Sequence, residues 1–451
     1  MKKITARSFI CILLALVLLA GTCMFVVRFI RDGEQWASYP ANRHLYTNGQ
    51  LSSGRVLDAN GDVLAAYSGG WQYSDDDSVR LGTIHAVGDP DGKIGTGALT
   101  EFASKLTGYN VFTGSGSSIS NGRDLHLTLD SELCAKAYDA LDGHDGVVGI
   151  YNYKTGKIIC MVSAPAYDPE NPDSSSKKSG AYINKFISSK FTPGSTFKLI
   201  TTTAALEKKS DISSFRFKCT GETKIGGYRV TCPEAHGTVD LEEALNKSCN
   251  CAFGTLAVDL GAGVMKGYSE MTGLTSSYSI NGINTEKSTF DFSSDGEEGL
   301  AWSGIGQGKD LVNPCAMLVF CGAIANGGRA AEPQIIDHTS FIDGISTSIY
   351  IQHNTDELIN PDTASTLTKY MKADVEENYG QDNFPGLNIC AKSGTAQVNT
   401  SKASNGWFVG FLNDSDHPLA FVCLVEQGGA GAKSAGRVVN TVLQKAIDLG
   451  Y

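Results

Sequence analysis

The chain has 451 residues, 41% of them apolar and 19% charged, and its 37 basic and 48 acidic side chains leave a net charge of −11. This composition supports a sizeable core and excludes wholesale disorder. The acidic balance argues against a nucleic-acid partner. At about 100–200 residues per domain the length corresponds to two or three domains.

Phe9 to Val27 is a 19-residue run without a charge, bounded by Arg7 and Arg28. At a rise of about 1.5 Å per residue it spans about 28 Å, close to the ~30 Å hydrocarbon core of a bilayer. Lys2, Lys3 and Arg7 precede it, which orients the amino terminus inward. Residues 1–8 then form a cytoplasmic tail and 9–27 an uncleaved single-pass anchor in the cell membrane, with everything after it extracytoplasmic. The run is too long for a signal peptide, and no small-x-small site follows it. A lipoprotein anchor at Cys23 lacks a large aliphatic residue three positions earlier, where Ala20 stands.

Residues 28–45 read as a polar tether. Arg55 to Ala66, centred on Asn60-Gly61, carries a hairpin signal suited to a type I′ turn. Residues 73–78 are acidic and read as a solvated loop, Leu99 to Leu106 as a helix stopped by Gly108, and Thr113 to Gly122 as a Gly/Ser-rich connection. Residues 28–124 thus form a small mixed pedestal domain beneath a larger one, 125–451. In the latter, a strand at Leu125 is followed by a helix over Ser131–Leu141, strands over Gly146–Tyr153 and Lys157–Val162, and a polar loop over Pro169–Gly180. A hairpin over Gly406–Leu412 and Leu419–Glu426 and a helix over Ala435–Leu449 close the chain. Strands at both sequence ends around a helical middle predict an α+β domain whose sheet joins distant segments.

Ten of the 12 cysteines lie outside the anchor. Cys160 and Cys423 sit in apolar strands and read as buried free thiols. Cys219 and Cys232 flank a Gly-rich turn and suit either a disulfide or, with His236, three ligands of a metal whose fourth ligand is missing. No metal or other cofactor is expected.

Three motifs carry the chemistry. In Thr192-Pro-Gly-Ser195-Thr-Phe-Lys198 a helix opens at Ser195 and places Lys198 one turn later on the same face, an arrangement suited to a serine nucleophile with an amine base. Taken alone, it also fits an N-cap serine beside a solvated lysine. Ser248-Cys249-Asn250 follows a helical stretch and can present Ser248 and Asn250 to a cleft. Lys392-Ser393-Gly394-Thr395 lies on a strand, where Gly394 lets a ligand approach the backbone. Each is weak singly; their order in an exported chain is specific.

The set resembles the penicillin-recognising serine enzymes, and most of all a class B penicillin-binding protein of the compact Gram-positive type. Gly54-Arg55-Val-Leu-Asp with Asn60-Gly61, Leu127-Thr-Leu-Asp130, Tyr153-Lys-Thr-Gly, Ser163-Ala-Pro-Ala-Tyr-Asp-Pro169, and Ser303-Gly-Ile-Gly-Gln307-Gly308 with Ile324-Ala-Asn-Gly-Gly328 extend the resemblance over most of residues 50–450. It departs from many relatives at Cys249, where they carry Asp.

The resemblance implies the penicillin-binding transpeptidase fold and a peptidoglycan D,D-transpeptidase. Ser195 would attack the carbonyl between two terminal D-alanines, Lys198 would take its proton, and Ser248 would relay a proton to the leaving D-alanine. Asn250 would hold the substrate amide. Lys392, Ser393 and Thr395 would receive the terminal carboxylate that a β-lactam mimics, with Gly394 among the substrate-binding residues. The N–H groups of Ser195 and Thr395 would form the oxyanion hole. Partners implied are stem peptides, β-lactams and a polytopic membrane glycosyltransferase.

A free lysine is neutral about once in 2,500 molecules at pH 7. A Lys198 base needs its pKa lowered by about three pH units, worth about 4 kcal/mol, which burial and the like charge of Lys392 can supply. A D,D-carboxypeptidase and a catalytically silent scaffold remain as alternatives. A class A β-lactamase does not fit, because Glu242-Glu-Ala-Leu-Asn246 precedes the Ser-x-Asn motif instead of following it.

Overall fold

Apart from the one that carries Lys392, the strands of the main sheet are apolar along most of their length, and the fold covers both their faces. In a computed structural model, which describes residues 2–38, 54–68, 70–106, 122–293, 296–341, 344–346, 348, 350–397 and 403–451, five strands form one antiparallel sheet. They are β1 (Gly146–Asn152), β2 (Ile158–Ala164), β3 (Ile389–Ala396), β4 (Asn405–Leu412) and β5 (Leu419–Val425). The order is β3-β4-β5-β1-β2, so the two sequence ends meet where β5 pairs with β1, Val422 opposite Gly149. Every residue of β4 and β5 is buried. The nearly all-buried helix Pro314–Ala325 covers one face. Helices Ser131–Ala140 and Ala435–Asp448 pack together on the other. The result is the α+β architecture expected, with β3 at one edge of the sheet. Cys160 and Cys423 are buried free thiols, as the strand pattern implied.

A second five-stranded sheet lies before this one in the chain, in the order Ile336–Phe341, Arg123–Leu127, Arg55–Leu57, Val63–Tyr67, Trp71–Tyr73. Ile336–Phe341 comes from far along the chain, so this sheet is not built from residues 28–124 alone. The Arg55 hairpin forms, but its turn is not type I′. Only Gly61 has a positive φ, of 90°, and the Asp58 carboxylate accepts from the N–H groups of Asn60 and Asp62 at 2.9 and 2.8 Å. An Asx-type cap therefore replaces the mirror-image turn. The acidic 73–78 stretch is not a plain loop: Asp76 caps a helix, Asp77–Val87, accepting from Val79 N–H at 3.1 Å. The expected Leu99–Leu106 helix is split into two single turns, Ala98–Glu101 and Ala103–Leu106. Gly108 and most of 113–122 lie outside the described residues.

The amino-terminal helix runs Lys2–Ser38 and contains a 27-residue segment, Arg7–Gly33, long and apolar enough to cross a membrane. It continues through most of the expected tether. No proline interrupts it before Pro40, and a helix once nucleated propagates through polar residues at little cost.

Candidate active site

Pro193-Gly194 ends the incoming chain, and Gly194–Phe197 winds as a 3-10 turn before the α-helix Lys198–Lys208 begins. Ser195 is thus in the tighter turn, not at the head of the α-helix as expected. At three residues per turn, positions i and i+3 eclipse, which stacks Lys198 over Ser195, Nζ to Oγ 3.0 Å. The turn is pressed against β3. Gly194 has a φ of 55°, and a Cβ there would lie 2.8 Å from the Thr395 carbonyl oxygen, while a Cβ on Gly394 would lie 2.7 Å from that of Pro193. Two glycines facing each other therefore let the first and third motifs touch through backbone.

The second motif reaches the same amine. Helix Leu241–Asn246, held by a capping box of Asp240 and Glu243, gives way at Ser248, whose φ of 49° is unusual for a residue with a side chain. That turn aims two oxygens of one residue at Lys198: Nζ donates to Ser248 O at 2.7 Å and to Ser248 Oγ at 3.0 Å. Asn250, first in the helix Asn250–Leu260, accepts from Nζ through Oδ1 at 2.8 Å and donates through Nδ2 to Thr231 O at 3.0 Å. Lys198 is fully buried. Burial, then the like charge of Lys392, pushes its pKa down to about 7.

Lys392 is equally buried but differently partnered. Its Nζ pairs with Asp374 Oδ2 at 3.2 Å and donates to Tyr379 Oη at 3.1 Å. Tyr379 Oη also accepts from Ser393 N–H at 2.9 Å and donates to Asp374 Oδ2 at 2.7 Å. Burial works against both charges, pulling Lys392 down and Asp374 up. The ion pair outweighs it at Lys392, whose amine stays above its ordinary value. Among the described hydrogen bonds Lys392 meets neither Ser195 nor Ser248. Ser393 is half-buried and Thr395 is exposed. The Thr395 carbonyl accepts from Gln307 Nε2 at 3.3 Å, tying the Ser303–Gly308 signature to β3.

Asp374 and Tyr379 were not legible in the sequence. Asp374 ends the helix Pro361–Asp374, and Tyr379 ends the π-turn that follows. No local spacing links either to Lys392.

The model of the penicillin-binding protein transpeptidase domain matches residues 146–444. The chain belongs to the penicillin-binding protein transpeptidase family. It is 28% identical over 354 residues to the peptidoglycan D,D-transpeptidase PbpA of Mycolicibacterium smegmatis, covering 72% of each chain. It is 30% identical over 316 residues to penicillin-binding protein 3 of Bacillus subtilis, covering 64% of this chain and 46% of that one. Among solved structures, its fold is similar to penicillin-binding protein A of M. tuberculosis in a ceftriaxone acyl-enzyme complex, with a TM-score of 0.74 at 24% identity over 88% of this chain and 98% of that one. The D,D-transpeptidase domain from Eggerthella lenta gives a TM-score of 0.75 at 24% identity over 88% and 99%.

Proposed function

We propose that this family member is a class B peptidoglycan D,D-transpeptidase that crosslinks stem peptides through a Ser195 acyl-enzyme and is acylated by β-lactams. The observation that carries the reading is the Ser195 hydroxyl 3.0 Å from a fully buried amine whose pKa lies near 7. Neutral Lys198 accepts the Ser195 proton as Oγ attacks the carbonyl of the penultimate D-alanine. The N–H groups of Ser195 and Thr395 receive the developing oxyanion, which the close approach of their two segments supports. The proton then passes from Lys198 through Ser248 Oγ, 3.0 Å away, to the departing D-alanine amine. An amine from a neighbouring strand attacks the ester, returns the proton by the same route and frees Ser195.

Asn250 holds Lys198 through Oδ1 and Thr231 through one N–H; its second N–H serves the substrate amide. Ser393 and Thr395 bind the terminal carboxylate. Lys392 acts from beneath them by its charge, since its ammonium is committed to Asp374. The outer edge of β3, where Ser393 N–H and the Thr395 carbonyl are already bonded to Tyr379 and Gln307, offers its remaining backbone groups to an extended peptide. The apolar amino-terminal helix anchors the enzyme with its catalytic domain outside the cell. Together with the 28–124 region, it is the surface for a polytopic glycosyltransferase.

The test is labelling with a fluorescent penicillin followed by peptide mass spectrometry. One stable adduct on the Ser195 peptide, lost in Ser195→Ala, is the expected result; an adduct elsewhere, or none, overturns the reading.

A further inference from the structure

Beside the second motif lies a group of side chains that the acylation chemistry does not use. Cys219, Cys232, His236 and Cys249 bring one ligand atom each to within 4.8 Å of all the others. Cys249, between Ser248 and Asn250, is the fourth ligand that the sequence alone did not supply. We propose that these four residues form a tetrahedral zinc site that fixes the Ser248–Asn250 segment to the strands around residues 217–239.

The distances carry the assignment. A tetrahedron with zinc–sulfur bonds of about 2.3 Å has sulfur–sulfur edges of about 3.8 Å, and a sulfur–nitrogen edge somewhat shorter. Cys219 Sγ to Cys232 Sγ is 3.8 Å, Cys232 Sγ to Cys249 Sγ is 3.7 Å, and Cys219 Sγ to His236 Nδ1 is 3.6 Å. Three sulfurs and one imidazole are a soft donor set that selects zinc over magnesium or calcium.

The backbone is arranged for bound thiolates. Strand Phe217–Cys219 pairs with Gly237–Val239, Cys219 opposite Gly237, which sets His236 beside Cys219. Cys251 N–H points at Cys232 Sγ and Ala252 N–H at Cys249 Sγ, each at 3.4 Å. These amides belong to the first turn of the eleven-residue helix Asn250–Leu260, whose positive end favours negative sulfur. Cys219 and Cys249 are buried, while Cys232 and His236 are half-buried and leave an entry path. Cys251 Sγ lies 3.5 Å from Cys232 but turns to the Val230 carbonyl, so it stands outside the four. Outside the cytoplasm, thiols this close oxidise unless a ligand protects them. Binding displaces the three thiol protons to solvent, with no change of oxidation state. Cys232 follows Thr231, whose carbonyl holds Asn250, so the ion would stiffen the contacts around Lys198.

Metal content tests the site independently of the proposed activity. Full-length protein, purified in detergent without added metal, is assayed by elemental mass spectrometry, and stripped protein is titrated with zinc and with cobalt(II). The proposal expects about one zinc per chain, a cobalt–thiolate charge-transfer band, loss of both in Cys219→Ser and His236→Ala, and retention in Cys251→Ser. Stripped protein would be acylated by a fluorescent penicillin at least about tenfold more slowly and recover on adding zinc. No metal uptake by folded wild-type protein, a Cys219–Cys232 or Cys232–Cys249 disulfide in the freshly isolated chain, or uptake that survives both ligand substitutions overturns it. Zinc bound as expected without any acylation would leave the site standing and count against the transpeptidase reading instead.

Discussion

Two lysines lie in this active site, both fully buried, and their surroundings drive them in opposite directions. Lys198 is ringed by neutral oxygens, from Ser195, Ser248 and Asn250. None compensates a charge fully, so burial lowers its pKa to about 7. Lys392 faces a carboxylate, Asp374, with Tyr379 between them, and is held charged. The residue type is the same and the burial is the same; the nearest anion decides which amine can lose its proton near neutral pH and which stays a fixed positive charge. The fixed one then helps discharge the other, as the second-largest influence on Lys198 after burial.

The largest effect expected from breaking this division of labour is at the base. Lys198→Ala should slow acylation by a fluorescent penicillin by about 10³-fold or more, while circular dichroism and the melting temperature report a folded protein. Acylation at the native rate would remove Lys198 as the base. Asp374→Asn strands a buried ammonium, which costs about 3–5 kcal/mol of stability. A large drop in melting temperature should accompany a deprotonated Lys392. With that like charge gone, the pKa of Lys198 should rise.

The pH profile sharpens the comparison next. Lys198 must be neutral to accept a proton and its pKa is lowered to about 7, so the acylation rate should climb about tenfold from pH 6 to pH 8 and then level off. In Asp374→Asn the climb should move to higher pH; an unmoved profile would mean that Lys392 does not act on Lys198. The smallest effect belongs to Tyr379→Phe. It removes the hydroxyl that bridges Asp374, Lys392 and Ser393 N–H and should cost about 1–3 kcal/mol of stability. It should raise the apparent KM for a peptide substrate more than it lowers kcat, because the displaced strand carries Ser393 and Thr395.

The chemistry-bearing triplets could be read directly, because each is a few contiguous residues whose spacing already sets local geometry: Ser195 over Lys198, Ser248 beside Asn250, and Lys392 to Thr395 along one strand. The apolar strands were legible for a similar reason. Residues buried on both faces read as near-continuous hydrophobic runs, as in Asn405–Leu412 and Leu419–Val425. Local chemistry misled where a neighbouring side chain intervened. Asp58 replaced a type I′ turn at Asn60-Gly61, and Asp76 made a helix start out of an acidic loop.

By itself, then, the sequence picked out the proposed nucleophile and base and the order of the motifs, together with the segments that form the strands of the main sheet. Only the tertiary structure decided the charges. Asp374 reaches Lys392 because the helix Pro361–Asp374 packs against β3, and Cys249 joins Cys219, Cys232 and His236 because an inserted pair of strands folds back on the second motif. Spacing along a chain sets what neighbours can do within a turn or a strand. A buried group's electrostatic field is set by whatever distant element is packed within a few ångströms of it, and no short window of sequence contains that element.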